Sequence, residues 1–315
     1  MNSSFNMAFI RYDSNFLQVG GLGHSFCDWV STLIISKLLN IAFLHNKLQT
    51  SIQKRDFDMD NNPDPYFWNN FLNLDFFENP VVIPNTIIKY ISPVNPFQSI
   101  PITILNDLDI SVLEIYCLKN NNRIYLFDLY NYELQGIVRN GITKDIIDSL
   151  RKAFYLKHPS CNLQSDKKIV NVYIRRGDLY NLLKKNIDPS YFDFEFDILN
   201  YIYNYNTNYI FNIISAGSIQ EINDLKIQFK NFNNINFIFN EPEEYVFKLM
   251  VNSDILIYTC SSFPFTASLY CNGLIIKKKT DYYLSDLLFY KDIKFFENYI
   301  FIDSVEELEK FKSRL

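Results

Sequence analysis

Short apolar runs alternate with helix-length segments through the second half of the chain. The runs cover residues 169–174, 209–214, 235–239, 254–259, 274–276 and 299–302. Runs of this length, separated by segments long enough for a helix, predict parallel strands with helices on both faces of the sheet. Such sheets bind ligands at the carboxyl ends of their strands, so functional residues are expected directly after the apolar runs.

The first half of the chain shows the same alternation less regularly. Strands are predicted at residues 7–12, 41–44, 81–83, 88–91, 113–116 and 124–127, and helices at 26–39, 66–76 and 143–156. A polar segment at 157–167 is interpreted as a linker. The sequence therefore predicts an α/β protein with two Rossmann-like domains, residues 1–157 and 158–315, that face a central cleft.

The composition excludes several classes of function. Of the 315 residues, 48% are hydrophobic and 21% charged, so the chain can bury large cores and is not disordered. A net charge of −5 at pH 7 argues against a nucleic-acid-binding protein. Five scattered cysteines, no leader pattern and no apolar run of about 18 residues predict a cytoplasmic protein without a transmembrane segment. The oligomeric state stays open.

Two adjacent arginines follow the first apolar run of the second half. In the stretch IVNVYIRRGDLY, Arg175 and Arg176 end the predicted strand and Asp178 comes shortly after them. A guanidinium group binds phosphate oxygens in a bidentate manner and keeps its charge at every physiological pH. The pattern therefore predicts an anion site, with Asp178 holding one guanidinium. The alternative is a surface ion pair between Arg176 and Asp178.

A glycine-rich turn in the first half is a second candidate. In the stretch QVGGLGHSFCDW, Gly21 and Gly23 lie between a predicted strand and a predicted helix, where the backbone could approach a ligand closely. His24 and Asp28 are about one helical turn apart, so both can face the same side. A turn made only for packing is the alternative.

A serine-bearing turn in the second half is the third candidate. In the stretch SDILIYTCSSFPF, Ser261 or Ser262 is predicted to cap a helix that continues over 265–271, with Pro264 in its first turn. Hydroxyl groups and backbone N–H groups at a helix start bind anions such as phosphate. An ordinary capped helix is the alternative.

Together these three stretches resemble the motifs of the GDP-fucose-dependent fucosyltransferases of the GT-B type. The stretches VGGLGHSF, VYIRRGD and SDILIYTCSSFPFTASLY occur in the same order as in that superfamily. The superfamily includes alpha-1,2-fucosyltransferases, which the motifs resemble most, as well as alpha-1,6- and protein O-fucosyltransferases. The resemblance implies a GT-B-like fold, with residues 1–157 on the acceptor side and residues 158–315 binding the nucleotide-sugar donor.

The resemblance also implies roles for individual residues. Arg175 matches the arginine that contacts the donor diphosphate, supported by Arg176 and Asp178. The other donor contacts that it implies are Gly21, Gly23, His24, Ser215, Gly217, Ser261, Ser262 and Phe263. This sequence departs from the family at Tyr173, which replaces a histidine, and after Ser215, where the family's aspartate is absent.

The activity implied is an inverting, metal-independent transfer of L-fucose from GDP-fucose to a hydroxyl group of a glycan acceptor. Arg175 would stabilise the leaving diphosphate, no cofactor would be needed, and His24 or Asp28 would serve as the general base.

Two alternatives stay open at this point. Asp56, Asp58 and Asp60 form overlapping Asp-x-Asp pairs, which metal-dependent glycosyltransferases use to hold a cation and another sugar nucleotide. A catalytically silent nucleotide-sugar or glycan-binding protein could also use this fold.

Overall fold

The computed structural model describes residues 9–12, 22–38, 42–44, 47–48, 64, 66–77, 88–91, 124–127, 144–159, 167–176, 193–205, 209–259, 261–278 and 297–315. These residues fall into two compact units, one ending at Lys157 and the other beginning at His158. Each unit contains a parallel sheet and helices. The predicted fold class, α/β with two Rossmann-like units, is therefore confirmed, whereas the central cleft stays a prediction.

The described part of the first unit is built on a parallel sheet with the strand order β2-β1-β4-β3. Its strands are β1 (Phe9–Tyr12), β2 (Ala42–Leu44), β3 (Ile88–Ile91) and β4 (Ile124–Phe127), and its helices are α1 (Leu22–Leu38), α2 (Phe67–Leu72) and α3 (Lys144–Lys157). The buried ring of Trp29 on α1 packs edge-on against Phe43 of β2, with ring centroids 5.5 Å apart. This contact holds α1 on the sheet. The strands predicted at 81–83 and 113–116 lie outside the described residues.

Two helices of the first unit differ in length from their predictions. Helix α1 begins at Leu22 rather than at residue 26, because the buried stripe of Phe26, Trp29 and Leu33 extends back to a buried Leu22. Helix α2 ends at Leu72, and Asn73 takes a left-handed conformation with φ 57°. The Asn73 side-chain amide donates to the carbonyl of Ala153 at 2.7 Å, which ties this helix end to α3.

The second unit contains a sheet of six parallel strands within the described part of the chain. The strands are β5 (Lys168–Tyr173), β6 (Tyr209–Ser215), β7 (Ile235–Phe239), β8 (Ile255–Tyr258), β9 (Leu274–Lys278) and β10 (Tyr299–Ile302). The helices are α4 (Phe194–Tyr205), α5 (Ile219–Gln228), α6 (Glu243–Val251), α7 (Ser262–Tyr270) and α8 (Val305–Leu308). Every apolar run of the second half thus forms a strand, as predicted.

The strand order of this sheet is β10-β9-β8-β5-β6-β7. The chain begins in the middle at β5, moves outward through β6 and β7, and then returns to place β8 on the other side of β5. Helices α4 and α5 share a core with one face of the sheet, whereas α6 and α7 contact the other face. The reversal between β5 and β8 is a topological switch point, where sheets of this order bind ligands.

A row of hydrogen-bonded amides, two of them buried, fixes the register of three strands. Asn171, Asn212 and Asn236 are partners on β5, β6 and β7. The Asn212 amide donates to Asn171 at 2.8 Å, and the Asn236 amide donates to Asn212 at 3.0 Å. Asn171 in turn donates to the carbonyl of Leu249 on α6. Because a shift by one residue would leave the buried amides of Asn171 and Asn212 unpaired, this row holds the strand ends of the site in place.

Candidate functional site

The switch point between β5 and β8 brings two of the three predicted motifs together. Tyr173 and Tyr258 are paired residues at the ends of these neighbouring strands. The arginine pair therefore leaves the sheet directly beside the turn that leads from β8 into α7. The sequence could only predict that each motif follows a strand, and the structure shows that the two strands are adjacent.

The two arginines leave β5 in different environments. Ile174 still pairs with β6, since its N–H donates to the carbonyl of Ile214 at 2.9 Å. Arg176 is only 9% exposed, and its Nη1 donates to the carbonyl of Arg175 at 3.1 Å. Arg175 is half-buried. Of the two guanidinium groups, that of Arg175 is the more accessible to a ligand.

The turn between β8 and α7 has an unusual backbone. Ser261 immediately precedes α7 and has φ 98° and ψ 132°, a conformation that favours glycine. Its side chain makes no capping hydrogen bond to the helix. Helix α7 begins at Ser262, directly after Ser261, so Pro264 lies in its first turn as predicted, where a missing N–H leaves no helical bond unmade. Strained turns of this kind concentrate at functional sites.

Phe263 joins this turn to the end of β5. Its ring centroid lies 6.1 Å from that of Tyr173 and 6.0 Å from that of Phe247 on α6. Tyr173 is 7% exposed and so serves as a packing partner. The start of α7 is thereby held beside the arginine pair by aromatic contacts.

The end of β6 forms the third part of the site. The Ser215 hydroxyl donates to the carbonyl of Ile174 at 2.8 Å, and Ser215 is 4% exposed. The N–H of Gly217 donates to Asn240 Oδ1 at 2.9 Å, and its carbonyl accepts from the same amide at 3.1 Å. A Cβ at Gly217 would lie 3.3 Å from Cβ of Arg176. The Ser215 hydroxyl thus supports the exit of β5, and Gly217 links the ends of β6 and β7 through the Asn240 side chain. The contact of either residue with a donor stays a prediction.

Glu195 completes this site, although the sequence did not predict it as a site residue. It is the second residue of α4 and is only 5% exposed, yet its Oε1 accepts a hydrogen bond of 3.1 Å from the N–H of Thr259 at the end of β8. Burial raises the pKa of Glu195 above its ordinary 4.5, and this outweighs the lowering by the hydrogen bond to Thr259 and the charges of Arg176 and Lys278.

A sequence signal for Glu195 does exist. Glu195 occupies the same helical stripe as Ile198, Leu199 and Ile202, which are fully buried on α4. When an acidic residue takes the first position of an apolar stripe with the spacing i, i+3, i+4, i+7, the packing of the helix buries its side chain in the core. Such a residue, on the helix that follows the switch-point strand, marks a buried charge near the site.

Lys277 is a second buried ionisable residue close to this edge of the sheet. It lies on β9 beside Tyr258 and is 1% exposed. Its Nζ is 5.6 Å from the centroid of the Tyr258 ring. The carboxyl ends of β5 and β9 thus carry basic side chains on both sides of the turn that leads into α7, which suits an anionic ligand.

The remaining predicted residues belong to other parts of the chain. Gly23, His24 and Asp28 lie on α1 of the first unit, the first two within its first turn rather than in a loop. His24 and Asp28 are four positions apart on that helix. Gly21 and Asp178 lie outside the described residues, as do Asp56, Asp58 and Asp60, so their roles stay predictions. In the described ranges, no helix has the length and apolar character needed to cross a membrane.

Comparisons with known proteins give structural likenesses only. No family model matches the sequence, and no curated protein does. A structure of POFUT1 in complex with GDP-fucose is 13% identical with a TM-score of 0.43, covering 85% of this chain and 94% of that chain. The glycosyl transferase family 9 protein from Veillonella parvula DSM 2008 is 11% identical with a TM-score of 0.40, covering 98% of this chain and 88% of that chain. Likenesses of this size concern the fold, so the chemistry of the site follows from its own residues.

Proposed function

We propose that this protein is an inverting, metal-independent fucosyltransferase that moves L-fucose from GDP-fucose to a hydroxyl group of a glycan acceptor, most similar in its motifs to the alpha-1,2 group. The observation that carries the proposal is the position of Arg175 and Arg176. They lie at the carboxyl end of β5, beside the Ser261 turn that follows β8, at the switch point of the sheet.

The proposed chemistry places the diphosphate of the donor against this edge of the sheet. When the acceptor hydroxyl attacks the anomeric carbon, the bond to the diphosphate breaks and negative charge develops on its oxygens. The half-buried guanidinium of Arg175 meets that charge, while Arg176 stays behind it in the protein. Loss of one such fixed donor costs about 10²–10³-fold in rate, so the arginine can take the place of a divalent metal.

The first unit supplies the acceptor side in this proposal. His24 and Asp28, one turn apart on α1, are the residues proposed to accept the proton of the attacking hydroxyl. GDP-fucose is proposed as donor because the arginine and serine motifs resemble those of GDP-fucose-dependent enzymes. The protein needs no further cofactor under this proposal.

A thermal-shift panel with GDP, GDP-fucose and UDP-sugars tests the donor. A ligand at 100 times its Kd stabilises the folded state by about 2.7 kcal/mol, so GDP compounds should raise Tm visibly and UDP-sugars should not. Arg175→Ala should remove nearly all fucose transfer, and Arg175→Lys should restore it only in part because the guanidinium fork is lost. Arg314→Ala is a matched control, since that arginine donates to the carbonyl of Glu297 in the same unit.

Three outcomes would contradict the proposal. A UDP-sugar that raises Tm more than any GDP compound would exclude GDP-fucose as donor. Loss of transfer in EDTA with recovery in Mn²⁺ would favour the aspartates at 56, 58 and 60. GDP-fucose binding without transfer or hydrolysis, across a panel of glycan acceptors, would identify a silent binding protein.

A further inference from the structure

Glu195 is a buried acid that is hydrogen-bonded to the end of β8 and interacts electrostatically with Arg176 at the exit of β5. Its Oε1 accepts from the N–H of Thr259, which leads out of β8 toward the Ser261 turn. The positive charge of Arg176, at the exit of β5, acts on the same carboxylate. Within the described residues, Glu195 is therefore hydrogen-bonded at the end of β8 and lies within electrostatic reach of Arg176 at the exit of β5.

Packing on α4 alone does not account for an acid at this position. The stripe that Glu195 shares with Ile198 and Leu199 is buried in the core of the second unit. Burying an ionised carboxylate costs stability unless its partners compensate, and here burial outweighs the hydrogen bond to Thr259 and the charges of Arg176 and Lys278. An apolar residue would fit this stripe at lower cost. A buried acid kept at such a cost, next to a cationic site, indicates a role in that site.

The side of the sheet on which Arg176 lies agrees with this role. Val170, Val172 and Ile174 belong to the core that β5 shares with α4, and Arg176 continues that alternation. Gly217 is also close to Arg176 on this side, since a Cβ there would lie 3.3 Å from Cβ of Arg176. Arg176 is thus enclosed between the exit of β6 and the α4 side of the sheet.

We propose that Glu195 is a positioning residue of the diphosphate site, which holds the Thr259 amide at the exit of β8 by a hydrogen bond and offsets the charge of Arg176 at the exit of β5. This inference rests on the proposed nucleotide-sugar site. The hydrogen bond fixes the turn that precedes α7, and the negative charge keeps Arg176 from attracting the diphosphate away from Arg175. The hydrogen bond should strengthen anion binding and the negative charge should weaken it, so substitutions can separate the two effects.

Glu195→Gln and Glu195→Ala separate the hydrogen bond from the charge. The amide oxygen of glutamine can still accept from Thr259 but carries no charge, so GDP affinity should rise by about threefold to tenfold at a pH above the raised pKa of Glu195, where the wild-type carboxylate is ionised. Alanine removes the acceptor as well, and GDP affinity should fall by about tenfold because the Thr259 amide is left buried without its partner. The ratio of the wild-type Kd to the Glu195→Gln Kd should approach one as the pH falls and the wild-type carboxylate takes up a proton.

Asp197→Asn is the matched control. Asp197 lies on the same helix, loses the same charge, and interacts with Asp193, Glu306 and Lys278 but not with Arg176. Its GDP affinity should stay within twofold of the wild type at every pH. A role in packing alone would change the melting temperatures of the Glu195 variants without the pH-dependent change in relative affinity.

GDP and magnesium-free pyrophosphate serve as probes in isothermal titration calorimetry of the full chain. Equal weakening in both Glu195 variants, or no change beyond twofold in either, would overturn the assignment. If pyrophosphate binds and responds as expected while GDP does not bind, the proposed function fails and the role of Glu195 in an anion site stands. If the wild type binds neither probe, both proposals are overturned.

Discussion

Replacing Ser261 by glycine should stabilise the fold and weaken the site at once. Ser261 has φ 98° and ψ 132° directly before α7, a backbone conformation that costs a non-glycine residue about 1–3 kcal/mol. Glycine removes this cost but increases the conformational freedom of the unfolded chain, which offsets about 0.4–1 kcal/mol. We therefore expect Ser261→Gly to raise the free energy of unfolding by about 1 kcal/mol, equivalent to about 2–4 °C in Tm.

Urea unfolding with Ser262→Gly as the control measures this effect. Ser262 is the first helical residue of α7, where glycine has no strain to relieve and costs up to about 1 kcal/mol in helix propensity. The two neighbouring substitutions should therefore shift the unfolding midpoint in opposite directions at an unchanged m-value. If Ser261→Gly destabilises the protein as much as Ser262→Gly does, the Ser261 backbone stores no strain and the reasoning is refuted.

Ser261→Ala separates the hydroxyl group from the backbone in the same experiment. A hydrogen bond to a charged group contributes about 1.5–3 kcal/mol, so losing a Ser261 contact with the diphosphate should weaken GDP binding by about 10-fold to 100-fold. Both Ser261→Ala and Ser261→Gly should show this loss, although only the glycine variant gains stability. Unchanged GDP affinity in Ser261→Ala would remove Ser261 from the set of donor contacts.

Two further predictions concern the neighbouring elements. Gly217→Ala should cost about 1 kcal/mol and weaken GDP binding, because its Cβ would lie 2.9 Å from Oε2 of Glu221, which forms a capping box with the N-cap Ser218 of α5. As a control, Gly273→Ala would place a Cβ 2.0 Å from a backbone carbonyl at the opposite end of the sheet. It should cost more in urea unfolding yet leave the GDP affinity of the folded protein unchanged. The folded-state pKa of Glu195 lies above 4.5, so the wild type should lose stability relative to Glu195→Gln as the pH rises through that pKa. The loss should be about 1.4 kcal/mol for each unit by which folding raises the pKa, and the difference in stability should be constant below pH 4.5. A difference in stability that does not change between about pH 4 and pH 8 would contradict this.

The strands of the second unit could be predicted because their environment is simple. Strands buried on both faces consist of continuous apolar residues, as in Ile255–Tyr258, which is buried throughout. Their boundaries shift by only a residue or two where a strand meets a turn. The strand order was not predictable to the same degree, because it depends on which runs pair across long stretches of chain.

Helix boundaries were less predictable because single residues decide them. Asn73 ends α2 by taking a left-handed conformation that its own side chain supports through Ala153, a residue far away in the sequence. Leu22 extends α1 backward through Gly23, which the sequence presents as part of a flexible turn. In both places a tertiary contact outweighs the local pattern.

The site residues that follow a strand directly in the sequence could be predicted, whereas those that reach the site only through tertiary packing could not. Arg175, Arg176 and Ser261 are recognisable because each follows an apolar run, and a parallel sheet places such residues at one edge. Glu195 is separated from Thr259 by 64 positions, and only the packing of α4 beneath the end of β8 makes them partners. Its place in an apolar stripe was visible in the sequence, but the identity of its partner was not.

The arginine pair itself shows why two adjacent charges follow β5. Side chains alternate between the faces of a strand, so neighbouring arginines that leave a strand in extended conformation start on opposite faces. Arg176 continues the face that packs on α4 and meets the charge of Glu195 there, whereas Arg175 continues the face of Tyr173, whose ring contacts Phe263 at the start of α7. In the proposed site, Arg175 is then available to an anion beside the helix start, and Arg176 is enclosed near the acid that we propose balances its charge. Under this proposal the motif divides ligand binding and charge balance between two residues of identical chemistry.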